Sequence, residues 1–495
     1  MRESRGKVSA FARCSVCRVA VTLLVGACGS PEGAPPGAGS GGAPGAGGAG
    51  AQASGGALSS GGQGSAAGGA SSGAGGSPSG GASGGLSGTG GSEATGGMTG
   101  SGGSPGDTCG GEPLLEAPGP ELSCGPRGHI FEAVGRPDNR VNYVIVGDGY
   151  DESQIGERFI EHVENMLYHE AAGLYSAIGE PYRRYRKFIN VCGLKLASAD
   201  ACIDNPDENR DCDTLFDGRC EPPCSPSGTR LGVVNRNKVN AALAAELPDD
   251  VDADWVAVSL NADANGWWNS GGPVMVWNGG FQDRLSAASV ALHEGGHTFH
   301  ALADEYGGTS TTCGEYQEIN STADPEGEKW SHWIGYEDVR ENSGPLPPHL
   351  VGRSTHGTFE QGVFEGSRYC DRGQYRPSKD SEMNQLPQPF NMPSMEKMIL
   401  DIYSIVDPID AHTPNDAPLA MPTGLQVKVV DPELLKIEWS VDGEVISGAT
   451  GECFVVPELA PGKHEVRVRV FDETPWVRKG RERLEQTVTW EVTVP

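Results

Sequence analysis

The chain has 495 residues, enough for two or three ordinary domains plus a tail. Its 37 Lys and Arg face 66 Asp and Glu, a formal net charge of −29 that argues against nucleic acid as a partner. No run of eighteen apolar residues occurs, so no segment is apolar enough to cross a bilayer as a helix.

Arg2, Arg5, Lys7, Arg13 and Arg18 form a basic head before the short apolar run from Val19 to Ala27. This is the layout of an export signal. It closes on Leu24-Val25-Gly26-Ala27-Cys28, which resembles a bacterial lipobox. The expectation is a lipoprotein signal over residues 1–28, with Cys28 lipidated and the only membrane contact made through that lipid. Glycine follows Cys28 and no aspartate does, which suits an outer-membrane or cell-surface position. Residues 29–108 are almost wholly Gly, Ser, Ala and Pro. Such a segment buries too little apolar surface to offset chain entropy and is expected to be a disordered tether reaching about 50 Å.

Thirteen cysteines support export. Cys14 and Cys17 leave with the signal and Cys28 carries lipid, so ten remain, an even number that predicts disulfides. Cys202, Cys212, Cys220 and Cys224 have spacings that a zinc knuckle also permits. The Asp- and Pro-rich surroundings favour a disulfide-stapled loop instead.

From 109 to 412 strands and helices are mixed. Residues 141–149 read as a buried strand ending in a Gly turn, and 153–172 as a helix with Ile155, Phe159, Val163 and Leu167 on one face. Residues 254–260 and 273–277 read as further strands, with a helix beginning near Asp283. From 413 to 495 the texture becomes period-two: 425–429, 466–470 and 488–494 alternate apolar and polar, with turns at Asp442-Gly443 and Pro461-Gly462. Half-buried antiparallel strands of a small immunoglobulin-like β-sandwich are expected there.

The chemistry lies in His293-Glu294-Gly295-Gly296-His297-Thr298-Phe299-His300-Ala301-Leu302-Ala303-Asp304-Glu305-Tyr306. Histidines four apart share one helix face, about 6 Å apart, and can hold one ion. Glu294 beside them can take a proton from water that a zinc ion acidifies, then pass it to the leaving amine of a peptide. A third protein ligand is required. Asp304, seven residues after His297, is the first choice, provided the chain bends near Ala301; on an unbroken helix it would lie about 10 Å up the axis. Glu305 is the second choice and a later acid, Glu315 or Glu318, the third. His300 is read as a supporting or core residue.

Gly147-Asp148-Gly149-Tyr150, Asn237-Lys238-Val239-Asn240, the His293-Glu294-x-x-His297 motif with Leu302-Ala303-Asp304-Glu305-Tyr306, and Tyr375-Arg376-Pro377-Ser378 with Met383 occur in that order. The set resembles the immunoglobulin-A metallopeptidase family of bacterial zincins over roughly 142–408. The resemblance implies an α/β (α+β) zincin-like domain, Zn2+ as cofactor, His293, His297 and Asp304 as metal ligands, and Glu294 as catalytic base. It also implies a turn carrying Met383 beneath the metal. Related chains often have Gly or another small residue where this one has His300 and Ala301.

Weaker signals remain. Tyr375 is a candidate hydrogen-bond donor to a tetrahedral oxyanion. Asp200, Asp204, Asp207, Asp211, Asp213 and Asp217 read as a solvated acidic loop rather than a calcium site. Asp148 reads as a turn cap, Trp267 and Trp268 as either a substrate rim or core. The strand around Val274–Trp277 is expected to line a cleft and pair with extended substrate. The functional expectation is an exported zinc metalloendopeptidase acting on protein or peptide. The alternatives are a non-catalytic surface binding protein with a structural zinc, and a metal hydrolase of non-peptide bonds.

Overall fold

The computed structural model describes residues 121–224, 230–262, 268–310, 312–336 and 360–495. The expected signal segment and tether, together with Cys109 and Trp267, lie outside these residues.

Strand β1 spans Gly128–Glu132 and β2 Val141–Asp148. All eight residues of β2 are buried, as befits an apolar strand covered on both faces. Helix α1 (Arg158–Tyr168) is shorter than its periodic pattern, and β3 (Ile189–Leu194) follows. After a two-stranded ribbon, β4 (Arg219–Cys220) with β5 (Gly232–Val233), come α2 (Arg236–Glu246), β6 (Trp255–Leu260), β7 (Met275–Asn278) and α3 (Arg284–His300). The main sheet has the order β1-β3-β2-β6-β7. Its inner strands are parallel and β1 is antiparallel.

Alternation along the strands assigns the two faces. Tyr143, Ile145, Trp255, Ala257, Met275 and Trp277 pack toward Phe159, Val163 and Leu167 of α1 and Ala288, Ala291 and Leu292 of α3. Val144, Val146, Val258, Leu260 and Val276 pack toward Val239 and Leu243 of α2. Helices therefore cover both faces, and α3 lies in the core, with Ala287 to Gly296 all buried.

Two consecutive glycines inside α3 each cost about 1 kcal/mol relative to alanine. Close approach explains them. A Cβ on Gly295 would stand 2.7 Å from Cζ2 of Trp255, and one on Gly296 2.8 Å from Sδ of Met383. The helix is thus clasped between the sheet and the Met383 loop.

Strands β8 (Phe364–Ser367) and β9 (Cys370–Arg376) form a hairpin, and helix α4 (Met392–Ile405) follows, capped by Asn391 accepting from the Ser394 N–H. The C-terminal strands are β10 (Ile409–His412), β11 (Leu419–Ala420), β12 (Gly424–Val429), β13 (Lys436–Val441), β14 (Glu444–Val445), β15 (Cys453–Val455), β16 (Gly462–Phe471) and β17 (Glu485–Val494). They form sheets of order β10-β12-β15 and β11-β17-β16-β13-β14. Trp439 of β13 stacks on Phe454 of β15 at 4.9 Å and on Trp490 of β17 at 5.6 Å, so side chains of the two sheets meet.

One buried apolar cluster runs from Tyr143 through Ile402 and Val406 of α4 to Val468 and Trp490. Polar links reinforce it: Asp472 accepts from Tyr185 Oη (2.5 Å) and Tyr403 Oη (3.0 Å), and Arg140 pairs with Asp410. Disulfides join Cys124–Cys192, Cys202–Cys212, Cys220–Cys224 and Cys313–Cys370, and Cys453 is also disulfide-bonded. The four clustered cysteines are therefore a stapled loop and not a zinc knuckle.

Candidate metal centre

One turn of α3 brings His293 and His297 onto the same face, their ring centroids 4.8 Å apart. Each Nδ1 donates to a backbone carbonyl, His293 to Glu382 O (2.8 Å) and His297 to Leu302 O (2.6 Å). These bonds place the ring proton on Nδ1 and leave Nε2 a bare acceptor in the neutral ring. The two Nε2 atoms stand 3.1 Å apart, and Asp304 Oδ1 lies 3.1 Å from one and 3.3 Å from the other.

Three acceptor atoms converging at that distance repel unless a cation or protons sit among them. A small divalent ion with tetrahedral bonds of about 2.0–2.1 Å separates its ligand atoms by about 3.3–3.4 Å. The donor set fits such an ion. Among the described residues, His293, His297 and Asp304 are the three brought together in this way. Burial works to raise the pKa of Asp304, but His297 and His293 outweigh it and hold the carboxyl well below the usual range.

Asp304 reaches the histidines because α3 stops. Ala301 adopts φ 52°, ψ 42°, in the left-handed region. Its N–H bonds to His297 O and the next N–H, of Leu302, to Gly296 O at 3.1 Å, so the end of the helix is closed and the chain turns back. An alanine there costs about 1 kcal/mol relative to the glycine that such a position prefers.

Glu294 is fully buried beside the histidines. Asn269 Nδ2 donates to its Oε1, while Oε2 has no hydrogen-bond partner. Burial raises its pKa, opposed mainly by His293 and His297. Beneath the helix, buried Met383 lies against Gly296 and its carbonyl accepts from the Glu305 N–H at 2.7 Å. The carbonyl one residue earlier orients His293.

The other candidate ligands are engaged elsewhere. Glu305 is buried among Asn320, Ser381 and Asn391, which all donate to it. Glu315 binds Thr322 and Lys329, and Glu318 pairs with Arg368. His300 turns to Asp401 of α4 (2.9 Å). Tyr375 is half-buried on β9 and exchanges backbone bonds with Thr322. A tyrosine hydroxyl does reach the ligand set: Tyr369 Oη donates to Asp304 Oδ2 at 2.6 Å.

At β7, Val276 exchanges both backbone bonds with Ser270 (2.9 and 3.0 Å), so that register position pairs with the chain itself. Trp268 is buried in the core. Three carboxylates of the acidic loop accept from backbone N–H groups, Asp204 from Cys212, Asp200 from Asp213 and Asp207 from Cys224, and Asp217 accepts from Asn235 and Lys238. Asp148 accepts from the distant Phe216 and Gly218 N–H groups and from Ser198.

Sequence reasoning did not single out Asn269, Glu382 or Tyr369. The turn at Arg368-Tyr369 carries neither Asn nor Gly, so nothing local announces the hairpin that delivers Tyr369.

An α/β chain with two helix-borne histidines, a glutamate between them and a converging aspartate has the architecture of a metallopeptidase. Residues 130–347 match the family model described as IgA Peptidase M64, and over that segment the chain is similar to the IgA peptidase family. Comparison with curated protein sequences gives no match. Among solved structures, the extracellular domain of a hybrid two-component system from B. thetaiotaomicron is 14% identical over 16% of this chain, with a TM-score of 0.13. The alignment spans 12% of that protein's chain and carries no argument.

Proposed function

We propose that the protein is a zinc-dependent endopeptidase, exported and held at the cell surface by a lipid on Cys28, with Glu294 as its general base. The observation that carries the reading is the convergence of two Nε2 atoms and one carboxylate oxygen beside a buried glutamate oxygen that has no partner. Two nitrogens and one oxygen at tetrahedral spacing suit zinc, and His, His and a carboxylate are a catalytic rather than a closed structural set. When bound, zinc supplies Lewis acidity that lowers the pKa of water at its open position and polarises a carbonyl.

The chain's own residues supply the rest. Asn269 holds Oε1 of Glu294, which leaves Oε2 to take a proton from the attacking water. The same oxygen returns the proton to the amide nitrogen as the peptide C–N bond breaks. The Glu382 and Leu302 carbonyls keep both imidazoles turned inward throughout.

The test is hydrolysis of casein by the purified chain, with and without chelator and with zinc restored. Activity lost on chelation and recovered with zinc supports the reading. Stoichiometric zinc without hydrolysis of casein or other peptides supports a structural site instead, and cleavage of only non-peptide acyl bonds supports a different hydrolase.

A further inference from the structure

We propose that Tyr369, backed by Tyr306, is a positioning residue that holds Asp304 to the metal through a single oxygen and so keeps the remaining coordination position open. The inference rests on the metallopeptidase reading above and adds a residue outside the matched segment 130–347.

The two oxygens of Asp304 do different things. Oδ1 faces both histidine Nε2 atoms, at 3.1 and 3.3 Å. Oδ2 accepts from Tyr369 Oη at 2.6 Å, the length of a strong hydrogen bond to a carboxylate. Tyr369 Oη also lies 3.1 Å from Tyr306 Oη. A phenol carries one proton. If Tyr369 gives its proton to Asp304, then Tyr306 must donate to Tyr369, and the chain Tyr306 to Tyr369 to Asp304 has a fixed direction. The rings brace each other edge to face, with centroids 5.1 Å apart at 83°.

The backbone that presents Tyr369 is built for the task. Arg368 and Tyr369 form the tip of the β8–β9 hairpin, both at positive φ (52° and 62°). Left-handed conformation at two adjacent residues that are not glycine persists only where surroundings impose it, and such positions gather at functional sites. Here the Arg368 N–H donates to Asp304 O (2.9 Å) and the Tyr369 N–H to Tyr306 O (3.0 Å), which lock the tip onto the metal-ligand segment. The Arg368 guanidinium pairs with Glu318 and lies 3.6 Å from the Tyr316 ring centroid. The disulfide Cys313–Cys370 fixes the very next residue.

A carboxylate free at Oδ2 can swing to bind through both oxygens and fill the position that water and substrate need. A hydroxyl donating to Oδ2 opposes that swing. The partners of metal ligands commonly affect metal affinity 10–100-fold.

The experiment uses the full chain. Zinc affinity is measured by competition with a chromophoric chelator, and the cobalt-substituted protein by its visible absorption, whose intensity falls as coordination number rises. For Tyr369→Phe the expected result is zinc binding weakened about 10–100-fold and a weaker cobalt spectrum, with the metal-free protein melting as the unaltered chain does. Tyr306→Phe should shift both readouts in the same direction by less, and carries the test alone if Tyr369→Phe does not fold. Unchanged zinc affinity and an unchanged cobalt spectrum in both variants overturn the proposal, as does a variant that only loses thermal stability. Failure of the unaltered chain to bind zinc at all overturns the metallopeptidase reading as well, so the two failures are distinct.

Discussion

Glu294 shows how much a single residue's environment decides. Its carboxylate is fully buried, pinned at one oxygen by Asn269 and unpartnered at the other. Glu294→Gln preserves size and the buried position, so metal content should stay stoichiometric while casein hydrolysis falls about 10²–10⁴-fold, the span of a lost general base. Elemental analysis beside an activity assay checks both halves, and retained hydrolysis removes Glu294 as the base. Ala301 decides geometry rather than chemistry. A β-branched residue tolerates its left-handed φ less well than alanine does. Ala301→Val should therefore lower stability by about 1–2 kcal/mol in urea unfolding and weaken metal binding, because Asp304 is brought back by that bend. At this scale the motif His293-Glu294-x-x-His297 was readable because its geometry is local to one helical turn. Asn269, Glu382 and Tyr369 were not readable, since they arrive from separate elements and no local pattern links them to the histidines.

Among the elements, α3 carries the strongest packing constraint. Gly295→Ala sets a new methyl 2.7 Å from the Trp255 indole, which is itself stacked between Tyr143 and Phe299 and has little room to move. The expected outcome is a loss of about 1–3 kcal/mol from overpacking, despite alanine's better helix propensity; a stabilised variant contradicts the close approach. Helix α1 supplies a pH dependence. His162 is 2% exposed and its Nδ1 lies 2.7 Å from Tyr150 Oη. Burial, helped by Arg284 and Arg158, pushes its pKa down to about 3. The unfolded ring titrates near 6.5, so between those values the unfolded chain binds the extra proton and stability falls as pH falls. From pH 6.5 to 5 the loss from this group is about 2 kcal/mol. Denaturation curves at both pH values should show it, and His162→Gln should remove that increment. The strands were legible where burial imposes a pattern: 141–149 as an unbroken apolar run, 466–470 and 488–494 as alternation. The ends of α1 were less so, because the apolar spacing continues through Ile155 and Ala172, which are buried by turns and not by helix.

In the whole molecule, the α/β layer and the C-terminal sheets share one buried cluster, with Asp472 tying Tyr185 and Tyr403 across it. Asp472→Ala leaves two buried hydroxyls without that acceptor and should cost about 2–4 kcal/mol, read as a lower midpoint in a single unfolding transition. Taken alone, the amino-acid sequence determined the two helix-borne histidines, the glutamate between them and the strands whose burial demands a pattern, because periodicity is encoded by neighbours. Only the tertiary structure decided that Asp304 and not Glu305, Glu315 or Glu318 joins the histidines, that Tyr369 is the hydroxyl upon it, and which cysteines pair. Those outcomes depend on a left-handed turn at Ala301 and on contacts between residues far apart in the chain, which form only when the core closes around them.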